Sequence, residues 1–86
     1  DMHNSAGRLR EALASYRAAE RLRERLTAER PRDAGYLRQL GAVRIRAGDV
    51  TGNEGYANLD DPAGALRFYA GAERAITVAL ALAPDD

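Results

Sequence analysis

The sequence predicts an all-α fold built from three antiparallel helices. Apolar residues recur at steps of three and four, which is the spacing of one helical face. Prolines and capping residues divide this pattern into three segments, and no stretch alternates apolar and polar residues as a strand would. We therefore expect helices over about residues 8–29, 34–47 and 62–83.

The first helix is predicted from a run of apolar residues that share one face. Pro31 sets its end, because the residue before a proline avoids helical angles. The apolar residues of this face are Leu9, Ala12, Leu13, Tyr16, Ala19, Leu22 and Leu26.

The second helix has clear signals at both ends. Asp33 is placed to cap its start, and Gly48 is typical of a left-handed residue that closes a helix. Residues 49–60 follow, with two glycines, two asparagines and no helical period, so we interpret them as a loop. The apolar face of this helix consists of Leu37, Leu40, Val43 and Ala47.

The third helix begins with a strong start signal, in which Asp61 caps and Pro62 occupies the first helical position. It is expected to run to about Ala83 and to be ended by Pro84. Its apolar residues form more than one stripe, so we expect this helix to be covered on two sides.

The composition suits a folded chain and narrows the chemistry that it can carry. Of the 86 residues, 45% are hydrophobic and 30% are charged, as in a globular domain. The absence of cysteine excludes disulfides, thiolate zinc sites and thiol nucleophiles. A single histidine, His3, excludes a site with several histidine ligands, and we expect no metal and no cofactor. No apolar run is long enough to cross a bilayer, and we expect a cytoplasmic protein.

The charges are divided unevenly along the chain, although the net charge is zero. Residues 1–48 hold eleven arginines and six acids, a balance of +5, whereas residues 49–86 hold two arginines and seven acids, a balance of −5. Such a division can mark a nucleic-acid surface. It equally lets the two halves, or two copies of the chain, attract each other.

The chain repeats itself at a shift of 53 residues. Between residues 12–33 and 65–86, nine of the 22 aligned pairs are identical without a gap. Alanine-rich helices match by chance, but aligned tyrosines and prolines are harder to explain in that way. The first and third helices are therefore interpreted as two copies of one element, with a different helix and a loop between them.

The repeated residues resemble the second helix of a tetratricopeptide repeat, which carries a small residue, an aromatic, another small residue and then a proline. Ala12, Tyr16, Ala19 and Pro31 fit this pattern, and so do Ala65, Tyr69, Ala72 and Pro84. Leu40 and Gly41 match the Leu-Gly pair of the family's first helix. The resemblance implies a fragment of an α-solenoid, in which small residues let neighbouring helices approach closely.

These features together resemble the long tetratricopeptide-like repeats attached to bacterial serine/threonine protein kinases. Each proline falls about seven residues later than in the ordinary unit, which lengthens the second helix by about two turns. Arg44 departs from the pattern, since an aromatic is usual there, and no kinase catalytic segment is present. The segments that carry the resemblance are Gly48-Asp49-Val50, Asn58-Leu59 and Asp61-Pro62-Ala63-Gly64-Ala65-Leu66.

The resemblance also implies an organisation of residues 1–86 as a single helical-repeat domain. It consists of a second-helix unit (8–31), a first helix (34–47), an inserted loop (49–60) and another second-helix unit (62–84).

All thirteen basic residues are arginine and alanine occurs eighteen times, which is typical of a GC-rich bacterial genome.

A binding face is implied on the middle helix, because first helices build most of the ligand-facing side in tetratricopeptide arrays. Ile45 supports this, since it lies off the stripe of Leu37, Leu40 and Ala47. Arg38 and Arg46 on this face could hold a carboxylate by paired hydrogen bonds. Alternatively, they are ordinary surface arginines without a binding role. The candidate positions are Gly35, Arg38, Ala42, Ile45 and Arg46.

The loop has two further interpretations. Its twelve residues place Asp49, Thr51, Asn53 and Asp60 at the first, third, fifth and twelfth positions, as in a helix–loop–helix calcium site. However, Glu54 stands where such a site needs glycine, and the twelfth position lacks a bidentate glutamate, so we favour a structural or partner-contacting loop. Tyr56 and Leu59 are its only large residues. We expect them to pin the loop onto the helices, or to anchor a partner.

The first helix suggests an alternative function in binding nucleic acid. Its arginines could contact phosphates, but Glu11, Glu20, Glu24 and Glu29 are interleaved with them, as on an ordinary solvated face. No nucleophile with a base, phosphate loop or paired carboxylates is evident, so we do not expect an enzyme. The arginines of this helix are Arg8, Arg10, Arg17, Arg21, Arg23 and Arg25.

The sequence therefore predicts a non-enzymatic scaffold that presents a helical groove to a peptide or protein partner. A nucleic-acid-binding helical module is the alternative. Repeat units do not bury their apolar faces alone, and three helices are few. We accordingly expect self-association through the third or the first helix.

Overall fold

The computed structural model describes the backbone of residues 2–83 and the side chains of residues 5–83. It consists of three helices, α1 (Met2–Glu29), α2 (Ala34–Gly52) and α3 (Pro62–Leu82). The described residues contain no strand, so the all-α prediction is confirmed. Pro84, expected to end the third helix, lies outside the described residues.

The predicted caps of α2 and α3 are confirmed. An Asp33 carboxylate oxygen accepts the backbone N–H of Tyr36 at 3.0 Å. An Asp61 carboxylate oxygen accepts the N–H of Gly64 at 2.9 Å, with Pro62 in the first turn. Each carboxylate satisfies one of the backbone donors that a helix leaves unpaired at its start, which stabilises the helix by about 1 kcal/mol.

Two helix boundaries differ from the prediction. Helix α1 begins at Met2 rather than near residue 8, because the apolar period and not a capping residue set the expected start. Helix α2 continues through Gly48 to Gly52, so the prediction of a left-handed cap at Gly48 is wrong. No glycine of the described chain has a positive φ. Helix α2 is instead closed by Asn53, whose N–H donates to the carbonyl of Asp49.

Gly48 serves helix packing instead of helix termination. A Cβ at this position would lie 2.7 Å from Cε1 of Tyr69, and one at Gly41 would lie 2.6 Å from Cγ1 of Ile76. Both glycines thus let α3 approach the backbone of α2 more closely than any side chain would permit. The pairing of Gly41 with Ile76 and of Gly48 with Tyr69 shows that the two helices are antiparallel.

Helix α2 is the central element of the fold. It packs against both other helices, whereas no Cα of α1 lies within 8 Å of a Cα of α3 in the described chain. The core lies between α2 and α3 and is formed by Leu37, Leu40, Ala75 and Ala79.

Within the described residues α3 is covered on one side, by α2, whereas the sequence predicts cover on two sides. Leu66 is 67% exposed, and Val78 and Leu80 are also exposed. The other face of α3, which packs on α2, is lined with small buried residues such as Ala72 and Ala75. The second apolar stripe therefore has no partner within the described part of the protein.

Candidate functional site

Four of the five candidate positions on α2 are exposed. Arg38, Ala42, Ile45 and Arg46 follow one another at steps of four, three and one, so they share one side of the helix. Gly35, on the same side, is half-buried. The buried residues of α2, such as Leu40 and Ala47, occupy the opposite side. The structure therefore places these candidates together on the side of α2 that is turned away from the core.

A groove runs between α1 and α2 beside this exposed face. One part is a cavity of about 300 Å³, and Ala42 and Arg46 line it together with Tyr16. A second cavity of about 370 Å³ adjoins it, since Tyr16 and Arg46 line both. Val50 and Tyr56 also line the second cavity. Ala42, Arg46 and Tyr56 are thus brought together in the groove, whereas Arg38, Ile45 and Leu59 line neither cavity.

The polar groups of the groove differ in whether they are already paired. Arg23 donates to the side-chain carbonyl of Gln39 at 2.8 Å, which ties α1 to α2 at one end of the groove. Asp49, at the other end, accepts hydrogen bonds from Asn53 and Tyr69. The guanidinium of Arg46 has no hydrogen-bond or ion-pair partner among the described residues. It is therefore available to an acidic group of a bound partner.

Arg44 joins all three helices at one point. Its Nε donates to Glu20 at 2.9 Å and its Nη2 to Glu24 at 2.9 Å, both on α1. Its Nη1 donates to the backbone carbonyl of Gly71 on α3 at 3.0 Å. The side chains of Arg44 and Glu20 are only 16% and 18% exposed, whereas that of Glu24 is 48% exposed. The residue that departs from the tetratricopeptide pattern thus fixes the positions of both outer helices relative to α2.

A second polar network holds the end of α2 against α3. The Tyr69 hydroxyl donates to the Asp49 carboxylate and accepts a hydrogen bond from the Asn53 amide at 2.9 Å. Burial raises the pKa of Tyr69 above its ordinary value, and the hydrogen bond to Asp49 raises it further. The ring of Tyr69 meanwhile covers Gly48. This tyrosine therefore positions the helix end and the start of the loop.

The loop is shorter than predicted and covers residues 53–61. The backbone N–H of Leu59 donates to the carbonyl of Val50 at 2.8 Å, and Asn58 donates to the carbonyls of Asn53 and Tyr56. Leu59 is half-buried. Tyr56 is 60% exposed, so its side chain contributes little to pinning the loop and is free to contact a partner. Asparagine side chains and backbone groups hold the loop instead.

The calcium pattern does not form a loop in the structure. Asp49 and Thr51 lie on α2, and their side chains bind Tyr69 and the carbonyl of Ala47 respectively. Among the described residues, no group of three or more histidine, aspartate or glutamate side chains is placed to hold a metal ion. No described helix combines the length and the apolar character needed to cross a bilayer.

No known protein family, curated protein or solved structure matches the chain.

The arginines of α1, on which the nucleic-acid alternative rests, are mostly exposed. Five of the six named arginines are exposed, while Arg23 is half-buried against Gln39. Two of the interleaved acids, Glu20 and Glu24, are bound to Arg44. The remaining acids, Glu11 and Glu29, are exposed beside these arginines.

Sequence reasoning missed the α1 wall of the groove and the role of Arg44. Tyr16 was interpreted as a packing residue of the repeat, yet it lines both cavities. A signal for Arg44 is present in its position, three residues after Gly41 and four before Gly48, on the side of α2 that packs against α3. A charged residue on such a close-packed stripe needs partners, and the Glu20–Glu24 pair on α1 could have been proposed for it.

Proposed function

We propose that the protein is a non-enzymatic interaction module whose groove between α1 and α2 binds a peptide or protein partner. The observation that carries this proposal is that Tyr16 and Arg46 line two adjoining cavities, which makes one continuous groove. Apolar contacts are offered by Tyr16, Ala42, Val50 and Tyr56. The unpaired guanidinium of Arg46 adds a site for a carboxylate.

This surface favours an extended segment with an apolar residue next to an acidic group. Aromatic side chains bury much apolar area with few rotatable bonds, and they are common where protein partners anchor. An arginine at the centre adds direction, because its planar fork pairs with a carboxylate in a fixed orientation. Arg38 and Ile45, exposed on the same side of α2, extend the proposed contact surface beyond the groove.

The resemblance to tetratricopeptide repeats supports the same proposal. In that interpretation α1 and α3 are second helices, α2 is the first helix between them, and the groove lies beside the side of α2 that would face a ligand. The bonds of Arg44 to Glu20, Glu24 and Gly71 hold the helices in place, which lowers the entropy cost of binding. The protein would therefore act as a rigid scaffold.

The proposal is tested by selecting peptides from a random library displayed on phage and measuring their binding to the purified chain by fluorescence polarisation. We expect selected peptides to combine apolar and acidic residues. Arg46→Glu should weaken their binding at least about tenfold, because it replaces an attractive charge with a repulsive one. Arg10→Glu is the matched control, since Arg10 is exposed on α1 and lines none of the cavities described above; it should bind as the parent chain does.

Equal binding by the Arg46→Glu and Arg10→Glu variants would contradict the groove as the binding surface. Failure to select any peptide would contradict the proposed function itself. The nucleic-acid alternative is measured in parallel, with a labelled DNA or RNA duplex in increasing salt. Strong binding at low salt that falls steeply as salt rises would favour that alternative, because phosphate contacts release counterions.

A further inference from the structure

A separate cleft lies between α1 and α3. No Cα of α1 lies within 8 Å of a Cα of α3 in the described chain, yet Leu13 of α1 and Phe68 of α3 line one cavity of about 360 Å³. Thr51 of α2 also lines it and is buried, with its hydroxyl donating to the carbonyl of Ala47 at 2.6 Å. The cleft therefore has apolar side chains on both walls.

Each wall of the cleft also carries an arginine. Arg17 is on α1 and Arg67 is on α3, and both are exposed. Neither guanidinium forms a hydrogen bond or an ion pair with another described residue. An arginine presents up to five N–H donors in a planar fork, so two of them facing one cavity offer a strong site for an oxyanion.

The acids that line the same cleft are already engaged. Glu20 accepts from Arg44 at 2.9 Å, and Asp61 caps α3 by accepting the N–H of Gly64. Because the charge of Glu20 is paired with Arg44, it offsets little of the positive charge of Arg17 and Arg67. Arg17 and Arg67 have no such partner among the described residues, so they favour a negative ligand in the cleft.

We propose that this cleft binds an oxyanion carried on an apolar group. Arg17 and Arg67 hold the oxyanion from opposite walls, and Leu13 and Phe68 contact the apolar body. A phosphorylated aromatic side chain and a free carboxylate beside an apolar side chain share this chemistry. The cleft is distinct from the groove between α1 and α2, since no residue lines both.

The test is a titration of the full chain, followed by the chemical shifts of its backbone amides. The two acidic probes are N-acetyl-phosphotyrosine amide and N-acetylphenylalanine, and their neutral counterparts are N-acetyltyrosine amide and N-acetylphenylalanine amide. We expect at least one acidic probe to bind and to shift Leu13, Thr51 and Phe68, while the neutral probes do not. The acid that binds more tightly identifies the source of the oxyanion.

Variants assign the binding to the two arginines. Arg17→Gln and Arg67→Gln should each weaken the acidic probe by about tenfold, because each removes a hydrogen bond to a charged group. Arg10→Gln is the matched control, since Arg10 is exposed on α1 and lines neither the cleft nor the groove, and it should leave the affinity unchanged. The proposal is overturned if neither acid binds, if the neutral probes bind as well, or if both cleft variants bind as the parent does.

Discussion

Arg44 offers the sharpest test of how the three helices are held together. Replacing it with methionine keeps most of the side-chain volume but removes three hydrogen bonds, to Glu20, Glu24 and the carbonyl of Gly71. The bond to Glu20 should dominate, because both side chains are largely buried there and hydrogen bonds to charged groups contribute about 1.5–3 kcal/mol. The exposed Glu24 should add less than about 1 kcal/mol.

The expected loss for Arg44→Met is therefore about 2–4 kcal/mol in the free energy of unfolding, since Glu20 is also left without its partner. In a domain of this size that corresponds to a fall in Tm of roughly 10 °C or more. Urea unfolding followed by far-ultraviolet circular dichroism measures it. Arg25→Met is the matched control, because Arg25 is exposed on α1, and its effect should stay within about 0.5 kcal/mol.

A double-mutant cycle then separates the two ion pairs. Combining Arg44→Met with Glu20→Gln should give a coupling energy above about 1 kcal/mol, whereas the cycle with Glu24→Gln should give less. An Arg44→Met variant as stable as the Arg25→Met control would refute the reasoning. Equal couplings to Glu20 and Glu24 would show that burial does not decide the strength of these pairs.

Three further predictions concern packing, pH and association. Gly48→Ala should lower the free energy of unfolding in urea by about 1–3 kcal/mol, because the added methyl group would meet the ring of Tyr69. Gly7→Ala is the control, since the added methyl group would lie in open space, and it should be neutral or stabilising. The pKa of Tyr69 is raised by burial and by Asp49, so this proton is lost from the unfolded chain at a lower pH than from the folded chain. The free energy of unfolding should therefore fall as the pH rises above about 10. The Tyr69→Phe variant should show a smaller fall. The chain should self-associate at high concentration through the exposed apolar face of α3 in light scattering, and Leu66→Gln should shift it towards the monomer.

Each of these has an outcome that contradicts it. Equal effects of the two glycine substitutions would mean that α3 does not approach α2 as closely as described. An unchanged alkaline profile in Tyr69→Phe would assign the pH dependence to other groups. A monomer with cooperative melting at every concentration would show that the face around Leu66 is stable without a partner.

Local signals were sufficient for most of the architecture. Asp33 and Asp61 mark helix starts because capping depends on a residue and its next three neighbours. The buried residues Leu37 and Leu40 were predicted because a helical face is set by spacing alone. These features required no knowledge of how the helices are arranged.

Long-range contacts explain what the sequence did not predict. Gly48 has the signature of a helix end, but the ring of Tyr69, 21 residues later, packs on it and the helix continues. Arg44 finds its partners 20, 24 and 27 residues away, on two different helices. The predicted site was similarly incomplete, since the α1 wall of the groove depends on the position of Tyr16 relative to Arg46.

The most direct test of the proposed function is the location of a bound peptide. A peptide selected for binding is given a nitroxide spin label, and the loss of amide signal intensity is measured along the chain. We expect the strongest losses at Tyr16, Ala42 and Val50, along the groove between α1 and α2. Losses confined to Leu66 and Val78, on the outer face of α3, would contradict it.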